Sequence, residues 1–125
     1  MAQILGIGGV FFKAANGEAV GEWYRRVLGL DVSEWGGAVF PPLKRGYHVW
    51  SPFKADTTYF EPSAAAFMVN FVVDDLDGVL ERARAEGVEP VGRDDEDPNG
   101  RFAWLMDPAG VKIELWEPNE TTPFT

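Results

Sequence analysis

The sequence predicts an α+β domain made of a duplicated βαβββ unit. Two helical stretches stand among several short β-prone runs. The same order also recurs in each half: an apolar extended run, an Asn or Asp that opens a helix, a glycine that ends it, then further short strands. The stopping glycines, Gly29 and Gly87, lie about half the chain apart, the spacing of an internal repeat. At 125 residues and 46% apolar composition, one domain is expected over 1–125. Module one spans about 4–60 and module two about 66–118.

Taken in order, residues 4–13 read ILGIGGVFFK and predict a strand. Gly6, Gly8 and Gly9 interrupt it, as where a ligand or another backbone comes close. Asn16-Gly17-Glu18 opens a helix in which Val20, Trp23, Tyr24, Val27 and Leu28 recur at helical spacing, with Gly29 as its stop. Leu30–Val32 resumes extended chain. Gly36-Gly37 predicts a hairpin turn. Ala38–Phe40 and Tyr47–Trp50 read as strands, broken by Pro41-Pro42 and Ser51-Pro52.

Residues 67–73 predict another strand. Asp74-Asp75 then precedes a helix with Leu76, Val79, Leu80 and Ala83 on one face. Val88–Val91 reads as extended and 93–100 as a polar loop. Phe102–Met106 and Val111–Trp116 read as strands joined by the turn Asp107-Pro108-Ala109-Gly110, with Pro at its second position. A Pro-bearing tail follows.

Composition removes several function classes. There are no cysteines, so disulfides, thiolate nucleophiles and Cys-ligated metals are excluded. The formal charge of −9 disfavours nucleic acid. No apolar run approaches the ~20 residues that cross a bilayer, and Met1-Ala2-Gln3 carries no basic segment of a signal peptide. A cytoplasmic protein without membrane contact is expected. Gly6-x-Gly8-Gly9 lies within a strand and is no dinucleotide fingerprint. A single histidine without a nucleophile elbow supports no Ser–His–Asp set.

Several motifs together resemble the glyoxalase/bleomycin-resistance/dioxygenase (vicinal oxygen chelate) superfamily. In the second half these are Asp74-Asp75-Leu76-Asp77 at a helix start, Gly87-Val88 at its end, and Asp107-Pro108-x-Gly110 followed by Ile113-Glu114-Leu115-Trp116. The first half adds Trp23-Tyr24-x-x-Val27-Leu28-Gly29-Leu30. The resemblance covers about residues 4–118. It implies two βαβββ modules whose strands form a cup-shaped mixed sheet around a cleft, with helices on the outer face. It also implies a homodimer and, in many members, a divalent metal held from four strand positions.

Those positions are poorly filled here. Alternation along the last strand puts Val111, Ile113 and Leu115 on one face and Lys112, Glu114 and Trp116 on the other. The aliphatic face belongs under the helices, so Glu114 and Trp116 are expected in the cleft, with Glu114 at the family's carboxylate position. The position of the usual first-strand histidine falls on or next to Gly9. The second module's first strand offers only Met68 and Asn70. His48, the one histidine of the chain, and Glu114 are the only strong ligands. No cofactor is therefore expected, and any divalent metal would fall to His48 and Glu114.

The aromatic residues carry the remaining signal. Phe11, Trp35, Phe40, Trp50, Asn70, Arg101 and Trp116 are expected to bind a ligand beside His48 and Glu114, since apolar concave walls with a few polar groups make small-molecule pockets. Trp23, Tyr24 and Trp104 read as core, Trp104 because its face is set against Val111, Ile113 and Leu115. The run Asp94–Asp97 reads as solvated, or as a mobile lid hinged at Asn99-Gly100 with Arg101 near the mouth. Beside a small interaction module whose cleft is vestigial, two functions stay open. One is metal-free binding of a small hydrophobic or aromatic molecule. The other is a glyoxalase-type lyase or isomerase with Glu114 and His48 as acid and base, metal-assisted or not.

Overall fold

The computed structural model describes residues 2–119. The predicted tail from residue 120 onward lies outside them. The elements are α1 (Gly17–Leu28), β1 (Val69–Val72), α2 (Leu76–Ala85), β2 (Gly92–Asp97), β3 (Gly100–Met106) and β4 (Lys112–Pro118). The class is α+β, as expected.

Both helices begin and end where their local chemistry requires. The Asn16 side chain accepts the Ala19 N–H at 3.0 Å, and Gly29 ends α1 in the left-handed region at φ 71°, which glycine adopts without a Cβ clash. Asp75 caps α2 by accepting from the Gly78 N–H. The Glu117 carboxylate accepts a further α2 N–H, that of Leu76, at 2.8 Å. Negative charge at a helix N-terminus is favourable.

The four strands form one mixed, open sheet in the order β1-β4-β3-β2. β1 runs parallel to β4, and the other neighbours are antiparallel. Together with α2, this is the βαβββ order expected of module two. Register sorts the two faces. Ala103 and Leu105 lie opposite Leu115 and Ile113, and all of these are buried against Val20, Tyr24 and Val27 of α1 and Leu76, Leu80 and Ala83 of α2. Burying each large aliphatic contributes roughly 1.5–3 kcal/mol. Tyr24 adds a polar tie: its hydroxyl donates to Asp107 Oδ2 at 2.5 Å. Asp107 Oδ1 accepts the Ala109 and Val111 N–H groups of the β3–β4 turn. Burial, then the carboxylate beside it, pushes the Tyr24 phenol well above its ordinary range.

Three expectations need correction. The runs 4–13, 38–40 and 47–50 enter no strand ladder, so module one contributes a helix and irregular chain to the described structure. Glycines 6, 8 and 9 weaken pairing, and Pro41, Pro42 and Pro52 have no N–H to give. Apolar β-prone sequence makes a segment fit for a sheet but supplies no partner edge. Ile4, Leu5 and Phe11 stay more than nine-tenths exposed in consequence. Second, Val88–Val91 forms no strand, whereas the acidic 92–97 stretch does. It is a paired edge strand with an irregularity between Asp94 and Asp97, so it is no mobile lid. Edge position reconciles acidity with a strand, because one side faces water. Third, the hairpin register places Trp104 opposite Glu114, on the face away from the helices.

The Gly36-Gly37 turn is present, with the Ser33 N–H donating to the Gly37 carbonyl at 2.8 Å. The Asp107–Gly110 turn closes through Gly110 N–H to the Asp107 carbonyl. Among the described residues no helix is long and apolar enough to cross a membrane.

Candidate functional site

The sheet face away from the helices is the floor of a broad open cleft of about 3250 Å³. Its other walls come from α1 and from the irregular chain between Ile7 and Met68. Small-molecule pockets usually measure roughly 300–1,000 Å³, so the whole cleft is larger than one such site.

Glu114 occupies the centre of that floor and is 8% exposed. Strand pairing sets Asn70 of β1 on one side of it and Trp104 of β3 on the other. Oε1 accepts from Asn70 Nδ2 at 2.8 Å. Oε2 accepts from Trp104 Nε1 at 2.8 Å and from the Tyr59 hydroxyl at 2.5 Å. A buried carboxylate needs such partners, and here every donor is neutral. Tyr59 reaches the floor from the chain before β1. Burial, followed by its hydrogen bond to Glu114, drives its phenol well above the ordinary range, so it stays a donor.

The surroundings are aromatic. Phe102 stacks between Trp104 and Trp116, with ring planes inclined by 12° and 3°. The Trp116 indole N–H donates to the Asn99 carbonyl at 2.9 Å. Tyr59 meets Trp104 edge-on. The Lys112 ammonium donates to the Tyr59 carbonyl at 2.6 Å and lies 5.1 Å from the Tyr59 ring centroid and 5.5 Å from that of Trp104.

Of the residues expected in the site, Asn70, Glu114 and Trp116 meet on the floor. Phe11, Trp35, Phe40, His48 and Trp50 line the remaining walls. Phe11 and Trp35 fold over their own neighbours: a Cβ on Gly9 or Gly37 would collide with their rings. The Phe40 ring lies 6.1 Å from that of Phe71 at the β1 edge. His48 packs on Gly6, where an added Cβ would stand 2.8 Å from Nδ1, and it is not among the partners of Glu114. Arg101 is a correction. Its register partner is Glu117, on the helix side of the sheet. There it pairs with Asp77, Asp95 and Glu117, so it has no place at the cleft mouth.

Tyr59, Phe102 and Trp104 were missed. For the two on β3 a signal existed: the tight 107–110 turn pairs Met106 with Lys112, and stepping back two residues on each strand puts Trp104 beside Glu114. Tyr59 sits in irregular chain, where no periodicity marks a site residue.

A divalent metal does not fit this arrangement. Glu114 has no histidine among its partners, and His48 stands exposed beside Gly6. Among the described residues no group of three or more His, Cys, Asp or Glu side chains could hold an ion.

The sequence matches the glyoxalase-like domain over residues 9–116. The chain belongs to the glyoxalase-like domain family. Among solved structures, this glyoxalase-like chain is similar to TnmS3, an antibiotic binding protein from Streptomyces sp. CB03234. That match has 24% identity and a TM-score of 0.53, covering 85% of this chain and 89% of the other. It is also similar to lactoylglutathione lyase from Agrobacterium tumefaciens, at 21% identity and a TM-score of 0.51 over 83% and 87% of the two chains. At these identities the likeness shows the fold. A shorter match, with 33% identity and a TM-score of 0.37, links it to a glyoxalase/bleomycin resistance protein from Catenulispora acidiphila. It covers 42% of this chain and about half, 48%, of that one. No curated protein matches the sequence.

Proposed function

We propose that this glyoxalase-like protein binds small hydrophobic or aromatic organic molecules on the cleft floor, without a metal. The observation that carries the reading is the Glu114 carboxylate, held by three neutral donors within an aromatic surround. Such a floor offers apolar contact together with a few fixed polar groups, which is how small-molecule sites orient a ligand. The same fold serves antibiotic binding in TnmS3. The lyase reading has less support, because Glu114 and His48, its acid and base, do not meet. A homodimer belongs to the proposal: the exposed apolar side chains of 4–12 and 35–53 are what a second copy would cover.

Titrating a panel of planar aromatic compounds against tryptophan fluorescence tests the reading, since Trp104 and Trp116 adjoin the site. Saturable quenching by at least one class is expected, weakened about tenfold by Trp116→Ala. Absence of saturable binding across the panel would overturn it.

A further inference from the structure

We infer that the ligand class of this site carries a cationic nitrogen on an aromatic frame, and that Glu114 is its counter-ion. The inference rests on the binding function proposed above and narrows it.

Glu114 lies more than nine-tenths buried on the floor. Among the described residues it forms no ion pair; its partners are the amide of Asn70, the indole of Trp104 and the phenol of Tyr59. The nearest cation in sequence on the same face, Lys112, donates instead to the Tyr59 carbonyl and lies over the Tyr59 and Trp104 rings. A carboxylate taken out of water carries a desolvation cost that neutral donors offset only in part. A cation delivered to it regains the missing Coulomb attraction in a low-dielectric setting.

The geometry leaves room for that delivery. A carboxylate offers about four lone-pair sites, and three are used. Of its donors, Trp104 is fixed by strand pairing. Tyr59 comes from irregular chain and is 40% exposed, so its hydroxyl is the donor an ammonium or amidinium can displace. The walls carry both signs, Glu18, Glu22, Glu34 and Glu61 against Arg25, Lys44 and Lys54, and the whole chain carries −9. A neutral or anionic ligand would use the rings and leave Glu114 without a counter-ion.

The test uses a matched pair of flat probes, 9-aminoacridine, protonated at neutral pH, and neutral acridine, titrated against the full-length protein at moderate salt. The cation is expected to bind about tenfold more tightly, the weight of one charge-assisted contact. Glu114→Gln should bring the two probes within about twofold of each other. A preference that survives Glu114→Gln would be attraction to the acidic surface and would overturn the inference. Equal affinity in the unsubstituted protein would also overturn it, while leaving aromatic binding standing. Failure of both probes and of the wider aromatic panel would remove the binding function itself. If Glu114→Gln does not fold, Tyr59→Phe decides. Freeing a lone pair of Glu114 should raise the cation-to-neutral ratio, and an unchanged or lower ratio overturns the inference.

Discussion

The indole N–H of Trp104 donates to the carboxylate of Glu114 at 2.8 Å across directly paired positions of β3 and β4. The hairpin therefore builds the polar centre of the cleft floor from its own register, and the aromatic stack of Phe102 and Trp116 continues from it. Trp104→Phe keeps a ring at that place but deletes the donor. A hydrogen bond to a charged group contributes about 2 kcal/mol. The urea midpoint should fall accordingly at unchanged slope. An unmoved midpoint would mean that Tyr59 and Asn70 suffice to hold the carboxylate.

Tyr24→Phe probes the opposite face. It leaves Asp107 Oδ2 without its buried donor, while Oδ1 keeps the Ala109 and Val111 N–H groups. A loss of about 2 kcal/mol is expected from the unsatisfied acceptor. Probe affinity at the cleft floor should stay the same, because this tie joins α1 to the β3–β4 turn on the helix side of the sheet. Equilibrium unfolding and one ligand titration check both halves of the statement.

Acid stability has two identifiable contributors on the surface, Asp77 and Asp95, both held down by Arg93 and Arg101. Hydrogen bonds from Arg101, then Arg93, hold the Asp77 carboxyl down at about 2, against 3.8 for the free group. The folded value is depressed, so the stabilisation is present above the unfolded value and is lost as pH falls through about 2. Asp77→Asn should flatten that part of the curve. The pair is exposed, so the effect is small and high salt should erase it. Melting temperatures of both proteins along an acid series, at low and high salt, measure it. Parallel curves at low salt would show that the cluster contributes nothing.

The apolar side chains left outside predict self-association. Ile4, Leu5 and Phe11 project from chain that has no ladder partner. Sedimentation equilibrium should give a dimer, and Leu5→Glu should shift it toward monomer without changing the helical circular dichroism. A monomer at every accessible concentration would refute this part of the proposal.

Local chemistry decided much of the fold in advance. Asn16, Gly29, Asp75 and Gly87 place the helix ends through backbone hydrogen bonds and glycine geometry that involve only near neighbours. Alternation along 111–116 sends Glu114 and Trp116 to one face for the same short-range reason. The family motifs were equally readable, being ordered residues in one chain. Other features depended on partners distant in sequence. Whether 4–13 pairs, and which edge the acidic 92–97 run joins, is a matter of what lies alongside. Tyr59 reaches Glu114 from 55 residues away, and Arg101 turns to Asp77 across the sheet rather than into the cleft. Period-two patterning sorts a strand into two faces but does not say what each face meets. Only the tertiary structure could decide that Glu114 is surrounded by neutral donors and, among the described residues, left without a counter-charge.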